Sequence, residues 1–116
     1  MWQEKLTITD APNAPADERI LQLNGPITIV TLFDLRDLIR AEKTAKTVIL
    51  DFTQVPYVDS AGVGAIVNAH VSCLNSGRRL LLVGVSDRIG TLMKVTKVDQ
   101  VLMIFQSLQE AQTVRP

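Results

Sequence analysis

An aspartate–serine pair followed by two glycines is the part of this sequence best suited to chemistry or recognition. The stretch reads YVDSAGVGAIV over residues 57–67, so Asp59 and Ser60 precede Gly62 and Gly64. Asp59 is suited to the N-cap of a helix, because its carboxylate accepts hydrogen bonds from the backbone N–H groups that follow. Each glycine inside a helix lowers its stability by up to about 1 kcal/mol relative to alanine. Capping therefore explains Asp59 but not the glycines.

The glycines indicate a surface function for Ser60. A missing side chain lets another backbone approach closely or leaves a flat patch for a partner, and we expect Gly62 and Gly64 to keep the surface around Ser60 bare. A phosphate on Ser60 would lie at the positive end of the helix dipole, where the fold tolerates it. It would also place about two negative charges in the middle of a contact surface. The pattern fits a switch that disrupts an interface without changing the fold. A purely capping function for Asp59 is the simpler alternative.

Ser60 lacks the surroundings of a catalytic nucleophile. Such a serine needs a base within hydrogen-bond reach. The histidine of the sequence, His70, lies ten residues farther along the same predicted helix, which corresponds to about 15 Å of rise. The stretch also lacks the G-x-S-x-G pattern of a nucleophile elbow and the Gly-Lys-Ser/Thr of a phosphate-binding loop. A serine hydrolase is therefore disfavoured, and we predict no catalytic residue in this stretch.

Length and charge narrow the class of protein. A chain of 116 residues with 47% hydrophobic and 21% charged residues is typical of one globular domain. Its 12 basic and 12 acidic side chains cancel, and aromatic residues make up 4% of the chain. Binders of nucleic acid or anionic membranes usually need a basic surface, and binders of single strands also need stacking aromatic rings. We therefore predict neither nucleic acid nor membrane as a partner.

The sequence offers little material for a metal or redox site. It has one cysteine, Cys73, and one histidine, His70, so neither an internal disulfide nor a zinc site is expected. We predict no cofactor and no metal. Cys73 is predicted to be a small buried hydrophobe, and His70 a core or boundary residue with one hydrogen bond. The sequence shows no signal-peptide pattern and no apolar run of about 20 residues, which predicts a cytoplasmic protein.

Hydrophobic patterning predicts strands and helices that alternate after an opening hairpin. The predicted strands are Lys5–Thr9, Arg19–Leu23, Thr47–Phe52, Arg79–Val85 and Val101–Phe105. The predicted helices begin at Thr31, Asp59, Ser86 and Ser107. Residues 10–17, which contain two prolines, are predicted to form a surface loop between the first strands. The order predicts a single α/β domain over residues 1–116, with a four- or five-stranded mixed sheet and right-handed crossover helices.

The segment VILDFTQVPYVDSAGVGAIV, residues 48–67, resembles the signature of the STAS-domain anti-sigma factor antagonists. That signature is a strand ending in aspartate, a short connection, an aliphatic or aromatic residue, and then Asp-Ser-Ser/Ala-Gly-Leu/Val. The order of predicted elements agrees with the family over nearly the whole chain. The resemblance implies a single STAS domain that acts as a regulatory binding protein rather than as an enzyme.

The resemblance also implies a mechanism and partners. In the family, the unphosphorylated antagonist binds an anti-sigma factor, which is itself a serine kinase with a histidine-kinase-like ATPase fold, and the sigma factor is released. The kinase phosphorylates the serine after the signature aspartate, and the phosphorylated antagonist dissociates. A PP2C-type phosphatase then restores the antagonist. By position, Ser60 is the implied phosphorylation site and Asp59 is the signature aspartate, while ATP and magnesium belong to the kinase.

The resemblance assigns partner contacts to the signature and to the loop after the second strand. The residues assigned are Gly25, Thr28, Asp59, Ser60, Ala61, Gly62, Val63 and Gly64. Many antagonists carry Gly-Glu-Leu-Asp or a similar acidic sequence in that loop, whereas this chain has Gly-Pro-Ile-Thr over residues 25–28. The missing acidic pair leaves a second interpretation open, a STAS scaffold or small-ligand sensor without a phosphorylation cycle. A fragment of an anion transporter is disfavoured because the sequence has no membrane span.

Overall fold

Alternating apolar residues build the central strand of the fold. In β3 (Thr47–Gln54), the side chains of Val48, Leu50 and Phe52 enter one hydrophobic core, and Ile49 enters another. This alternation is the two-residue period of a strand whose side chains point to opposite faces of the sheet. All four side chains are at most 1% exposed, so both faces of the sheet are covered.

In the part of the chain that the structure describes, the sheet contains five strands in sequence order. β1 (Thr7–Asp10) pairs antiparallel with β2 (Glu18–Asn24), and β3, β4 (Arg79–Val83) and β5 (Met103–Phe105) continue the sheet in parallel. The structure is a computed structural model that describes residues 4–113, so the first and last three residues of the predicted domain lie outside the described range. The α/β fold, the opening hairpin and the mixed sheet are confirmed, with the larger of the two predicted strand numbers.

Within the described range, four α-helices cover the sheet. They are α1 (Leu32–Ala41), α2 (Ser60–Asn75), α3 (Asp87–Val95) and α4 (Leu108–Thr113). The first three lie on one face, where Ile39, Ile66 and Met93 join the larger hydrophobic core. α4 covers the opposite face, where Ala111 packs with a smaller cluster. The parallel connections therefore bring the starts of α1, α2 and α3 to the carboxyl edge of the sheet, where loops offer binding surfaces.

Several strand boundaries differ from the prediction by one or two residues, among them the start of β1 at Thr7 rather than Lys5 and the end of β3 at Gln54 rather than Phe52. β4 ends at Val83 rather than Val85, because Gly84 has a φ of +69° and turns the chain toward α3. β5 begins at Met103 rather than Val101, because a 3-10 turn at Val98–Gln100 precedes it and Val101 remains half exposed. Both apolar runs extend beyond their strands: Val85 packs against the larger core from outside the sheet, and Val101 lies at the surface.

Candidate functional site

Ser60 lies where the connection after β3 enters α2. It is the first residue of the helix and is exposed. Asp59 has extended backbone geometry (φ −90°, ψ 178°), and its Oδ1 accepts a hydrogen bond of 2.7 Å from the Gly62 N–H. The predicted N-cap is therefore confirmed. Because the cap holds the first turn, the hydroxyl of Ser60 is presented from a fixed position.

Asp59 also joins α2 to the loop between β2 and α1, residues 25–31. Its Oδ2 accepts a hydrogen bond of 3.1 Å from the Ile29 N–H. Its own N–H donates to the Ile27 carbonyl at 3.2 Å, beside a parallel bridge between Ile27 and Val58. Both carboxylate oxygens of Asp59 are thus used, one for the helix and one for the loop. Sequence analysis identified the first of these contacts and missed the second.

The two glycines of the signature have opposite surroundings. Gly62 is buried, and a Cβ there would overlap the Ile27 carbonyl oxygen and approach Val58 Cγ1 to 2.7 Å. Gly64 is exposed, and a Cβ there would meet no atom within 4 Å. The expectation that both glycines keep the surface bare is therefore wrong for Gly62, which lets the 25–31 loop pass close to α2. Gly64 alone leaves open surface beside Ser60.

Thr28 holds the 25–31 loop from within. Its side chain is 3% exposed, its Oγ1 donates to Glu4 Oε2 at 2.9 Å, and the same Oγ1 accepts from the Val30 N–H at 3.2 Å. Thr31 adds a second internal brace, because its Oγ1 accepts from the Thr28 N–H at 2.9 Å and donates to the Pro26 carbonyl at 2.7 Å. Thr28, assigned to partner contact by resemblance, is thus buried and shapes the loop.

Three large apolar side chains project from this braced loop and the first turn of α1. Ile29, Val30 and Phe33 are 57%, 68% and 44% exposed. We call them the apolar patch. The hydrogen bond from the Ile29 N–H to Asp59 places the patch beside Ser60. Sequence analysis did not select these residues, although two adjacent β-branched apolar residues in a loop are the kind of signal that marks an interaction surface.

The remaining assigned residues fall into two groups. Gly25 and Ala61 are half-buried, and Val63 is buried in the larger core. Gly25 has a φ of +121°, and a Cβ there would overlap the Lys5 carbonyl oxygen, so its glycine serves the turn after β2. Of the eight residues assigned to partner contact, Ser60 and Gly64 are the fully exposed ones, and Asp59 is half-buried between them and the loop.

A groove of about 450 Å³ runs between the start of α2 and α3 on the other side of Asp59. Arg88 lines it, with its guanidinium 6.0 Å from the centre of the Tyr57 ring. The Tyr57 hydroxyl donates a hydrogen bond to the Glu4 carboxylate. This bond raises the pKa of Tyr57, because the phenol that donates it is stabilised over the phenolate. Glu4 therefore links both loops beside Ser60, since it also accepts from Thr28.

Residues 4–113 hold no group of three or more His, Cys, Asp or Glu side chains that is placed to bind a metal ion. Cys73 is buried, as predicted, and burial raises the pKa of its thiol. His70 is 4% exposed, as predicted for a core residue, and its Nδ1 has no hydrogen-bond partner in the described range. No helix in that range is both long and apolar enough to span a bilayer.

Comparisons with known proteins agree with the fold. The profile of the STAS domain matches residues 9–111. The anti-sigma-B factor antagonist of Listeria monocytogenes is 29% identical over 82 residues, which cover 69% of this chain and 72% of that protein. An anti-sigma factor antagonist from Mycobacterium paratuberculosis has the same fold, with a TM-score of 0.79, 17% identity and coverage of 93% and 92% of the two chains. A sulfate transporter family protein from Wolinella succinogenes superposes with a TM-score of 0.70 and 29% identity, over 88% and 92% of the chains.

Proposed function

This chain belongs to the STAS domain family, and we propose that it is an anti-sigma factor antagonist switched by phosphorylation of Ser60. In its unphosphorylated form it binds an anti-sigma factor that is a serine kinase with a histidine-kinase-like ATPase fold, and a sigma factor is released. A PP2C-type phosphatase reverses the modification. The chain itself is a cytoplasmic regulator of transcription and not an enzyme. The antagonist relative from Listeria supports this assignment.

The observation that carries the proposal is an exposed Ser60 at a capped helix start, next to the apolar patch. A partner that covers the patch buries Ile29 and Val30 and removes water from the hydroxyl of Ser60. A phosphate there would be a dianion beside the Asp59 carboxylate, under an apolar contact surface. Burying such a charge without a counter-charge is strongly unfavourable, so the phosphorylated chain dissociates.

The covalent step needs only the kinase and its nucleotide. The γ-phosphoryl group of ATP passes to Oγ of Ser60, ADP leaves, and the hydroxyl proton passes to a base of the kinase. The product fits the fold, because the phosphate lies at the N-terminus of α2, where free backbone N–H groups and the helix dipole favour an anion. In the reverse step, water cleaves the phosphate from Ser60 and inorganic phosphate is released.

The test is binding to purified histidine-kinase-like ATPases encoded in the source genome. Wild type is expected to bind one of them, and Ser60→Asp is expected to weaken binding by more than about 1 kcal/mol with nearly unchanged melting temperature. Ser107→Asp is the matched control, because Ser107 caps α4 through the Glu110 N–H on the opposite face of the sheet. Equal binding by wild type and Ser60→Asp would refute the switch.

A small-ligand sensor without a phosphorylation cycle is the second candidate. The groove beside Asp59 supports it, because this groove combines apolar walls with the guanidinium of Arg88. Native mass spectrometry of the chain purified from its source cells distinguishes the two candidates. A bound small molecule that is lost from Arg88→Gln favours the sensor, whereas phosphate on Ser60 favours the switch.

A further inference from the structure

The groove between α1 and α2 is a second surface, which adjoins the apolar patch where Arg36 contacts Phe33. It consists of two adjoining depressions of about 280 and 330 Å³ that share Arg40 and Ser72. Among residues 4–113, every charged side chain that lines it is basic. These side chains are Arg36, Arg40, Lys43 and Arg78. The chain as a whole has no net charge, so this concentration of cations is a local property of the groove.

The basic side chains differ in how firmly they are held. Arg36 lies 4.8 Å from the centre of the Phe33 ring and pairs with Asp37 at 3.3 Å. Arg78 donates from Nε to Ser76 Oγ at 3.2 Å, which anchors it at the far end of the groove. Arg40 and Lys43 are exposed, and neither takes part in the ion pairs found among residues 4–113. Two cations in the middle of the groove are therefore available to an anionic ligand.

We propose that this groove binds an acidic polypeptide segment of the partner that covers Ser60. The inference rests on the proposed function, because one partner occupies both surfaces. The surfaces are connected along α2, where Ser60, Gly64, Asn68 and Ser72 are all exposed and each is the neighbour, four positions on, of the one before, so that they form one row leading into the groove. They are also continuous along α1, where Arg36 packs on Phe33 of the apolar patch.

The arrangement of the cations favours a segment over a compact anion. Arg36 and Arg40 lie on successive turns of α1, so their attachment points are separated by about 6 Å along the helix axis. Alternate side chains of an extended polypeptide are spaced by about 7 Å on one side, which matches this separation. Asn68 and Ser72 on the facing wall supply amide and hydroxyl groups that can donate to carboxylates or to a partner backbone. The spacing of its cations thus suits the groove to bind a row of negative charges rather than one phosphate.

The first test needs no identified partner. The ¹⁵N-labelled full chain is titrated with a short peptide of alternating glutamate and alanine, and in parallel with inorganic phosphate. Saturable shifts are expected for the amides of Arg36, Arg40 and Ser72, with an affinity that falls as salt rises. The double variant Arg40→Glu/Lys43→Glu is expected to weaken the peptide by at least about ten-fold, because two attractions become repulsions. Lys94→Glu on α3 is the control and is expected to change little.

Several outcomes would overturn the inference. Equal shifts around Lys94 and in the groove would show unspecific charge attraction. Tighter binding of phosphate than of the peptide at the same groove would show a small-anion site instead. The proposed function is tested separately, by measuring binding of the chain to the purified ATPase. If Ser60→Asp releases the ATPase and Arg40→Glu/Lys43→Glu does not weaken its binding, the proposed groove site is refuted and the switch stands. If the groove binds the peptide but the chain binds none of the purified ATPases, the switch is refuted.

Discussion

Gly62 and Gly64 stand two positions apart on α2 and do different work. The backbone of the 25–31 loop passes over Gly62, so that the Ile27 carbonyl occupies the space a side chain would need. Gly64 faces open space beside Ser60. Packing requires a glycine at position 62. At position 64 the fold has room for a side chain, so only contact with a partner would require glycine there. A pair of alanine substitutions separates these two reasons.

Gly62→Ala is expected to lower the free energy of unfolding by about 1–3 kcal/mol, because the added methyl group forces the loop away from α2. Gly64→Ala is expected to raise it by up to about 1 kcal/mol, because alanine is the better helix former and meets no neighbour. Urea unfolding of both variants measures the two effects. A loss of stability in Gly64→Ala, or none in Gly62→Ala, contradicts the assignment.

His70 gives a second prediction at the scale of one residue. Its Nδ1 is buried without a hydrogen-bond partner in the described range, and such a group costs about 1–3 kcal/mol. His70→Leu keeps a large side chain, removes the polar atoms, and is expected to stabilise the fold by about 1 kcal/mol. Leu74→Ala on the same helix is the control. Because Leu74 is 52% exposed, this substitution is expected to change the free energy of unfolding less than a substitution in the core. A destabilised His70→Leu would show that the imidazole has a partner in solution, such as water.

At the scale of elements, local patterns predicted what local chemistry decides. The cap at Asp59, the buried strand β3 and the crossover order follow from residue types and periods, and all are confirmed. The bond from the Ile29 N–H to Asp59 and the burial of Thr28 depend on segments about 30 and 24 residues apart meeting in space. No local period encodes such meetings. For the same reason the apolar patch and the basic groove were found only in the folded chain.

The link between α2 and the 25–31 loop is tested by Asp59→Ser. Serine is an equally good N-cap, so α2 is retained, but its shorter side chain holds one oxygen and leaves the Ile29 N–H without an acceptor. We expect a loss of about 1–2 kcal/mol in stability. We also expect faster hydrogen exchange at Ile29 and Val30, with little change at the amides of α3. Unchanged exchange at Ile29 would mean that the loop is held without Asp59.

At the scale of the whole molecule, Glu42 ties together parts of the chain that are distant in sequence. Its Oε2 accepts from the N–H groups of Ala45 and Thr44, each at 2.8 Å, and its Oε1 accepts from Arg19 Nη1 at 3.1 Å. Arg19, on β2, also donates a hydrogen bond of 2.8 Å from Nε to Asp10 Oδ1 on β1. The end of α1, the loop before β3 and the opening hairpin thus meet at one carboxylate. Because these donors stabilise the ionised form, the pKa of Glu42 falls to about 2.

Because of this lowered pKa, the free energy of unfolding depends on pH between 4.5 and about 2. The folded pKa of about 2 lies below the ordinary value of 4.5, so the stabilisation is complete above pH 4.5 and is lost as pH falls toward 2. Glu42→Gln is expected to lower the free energy of unfolding by about 2 kcal/mol at neutral pH. The difference from wild type is expected to shrink steadily toward pH 2, because the wild-type carboxylate is then protonated as well. Asp37→Asn, at an exposed pair with Arg36, is the control. Urea unfolding across this pH range decides it, since parallel curves for wild type and Glu42→Gln would mean that the network contributes nothing through its charge.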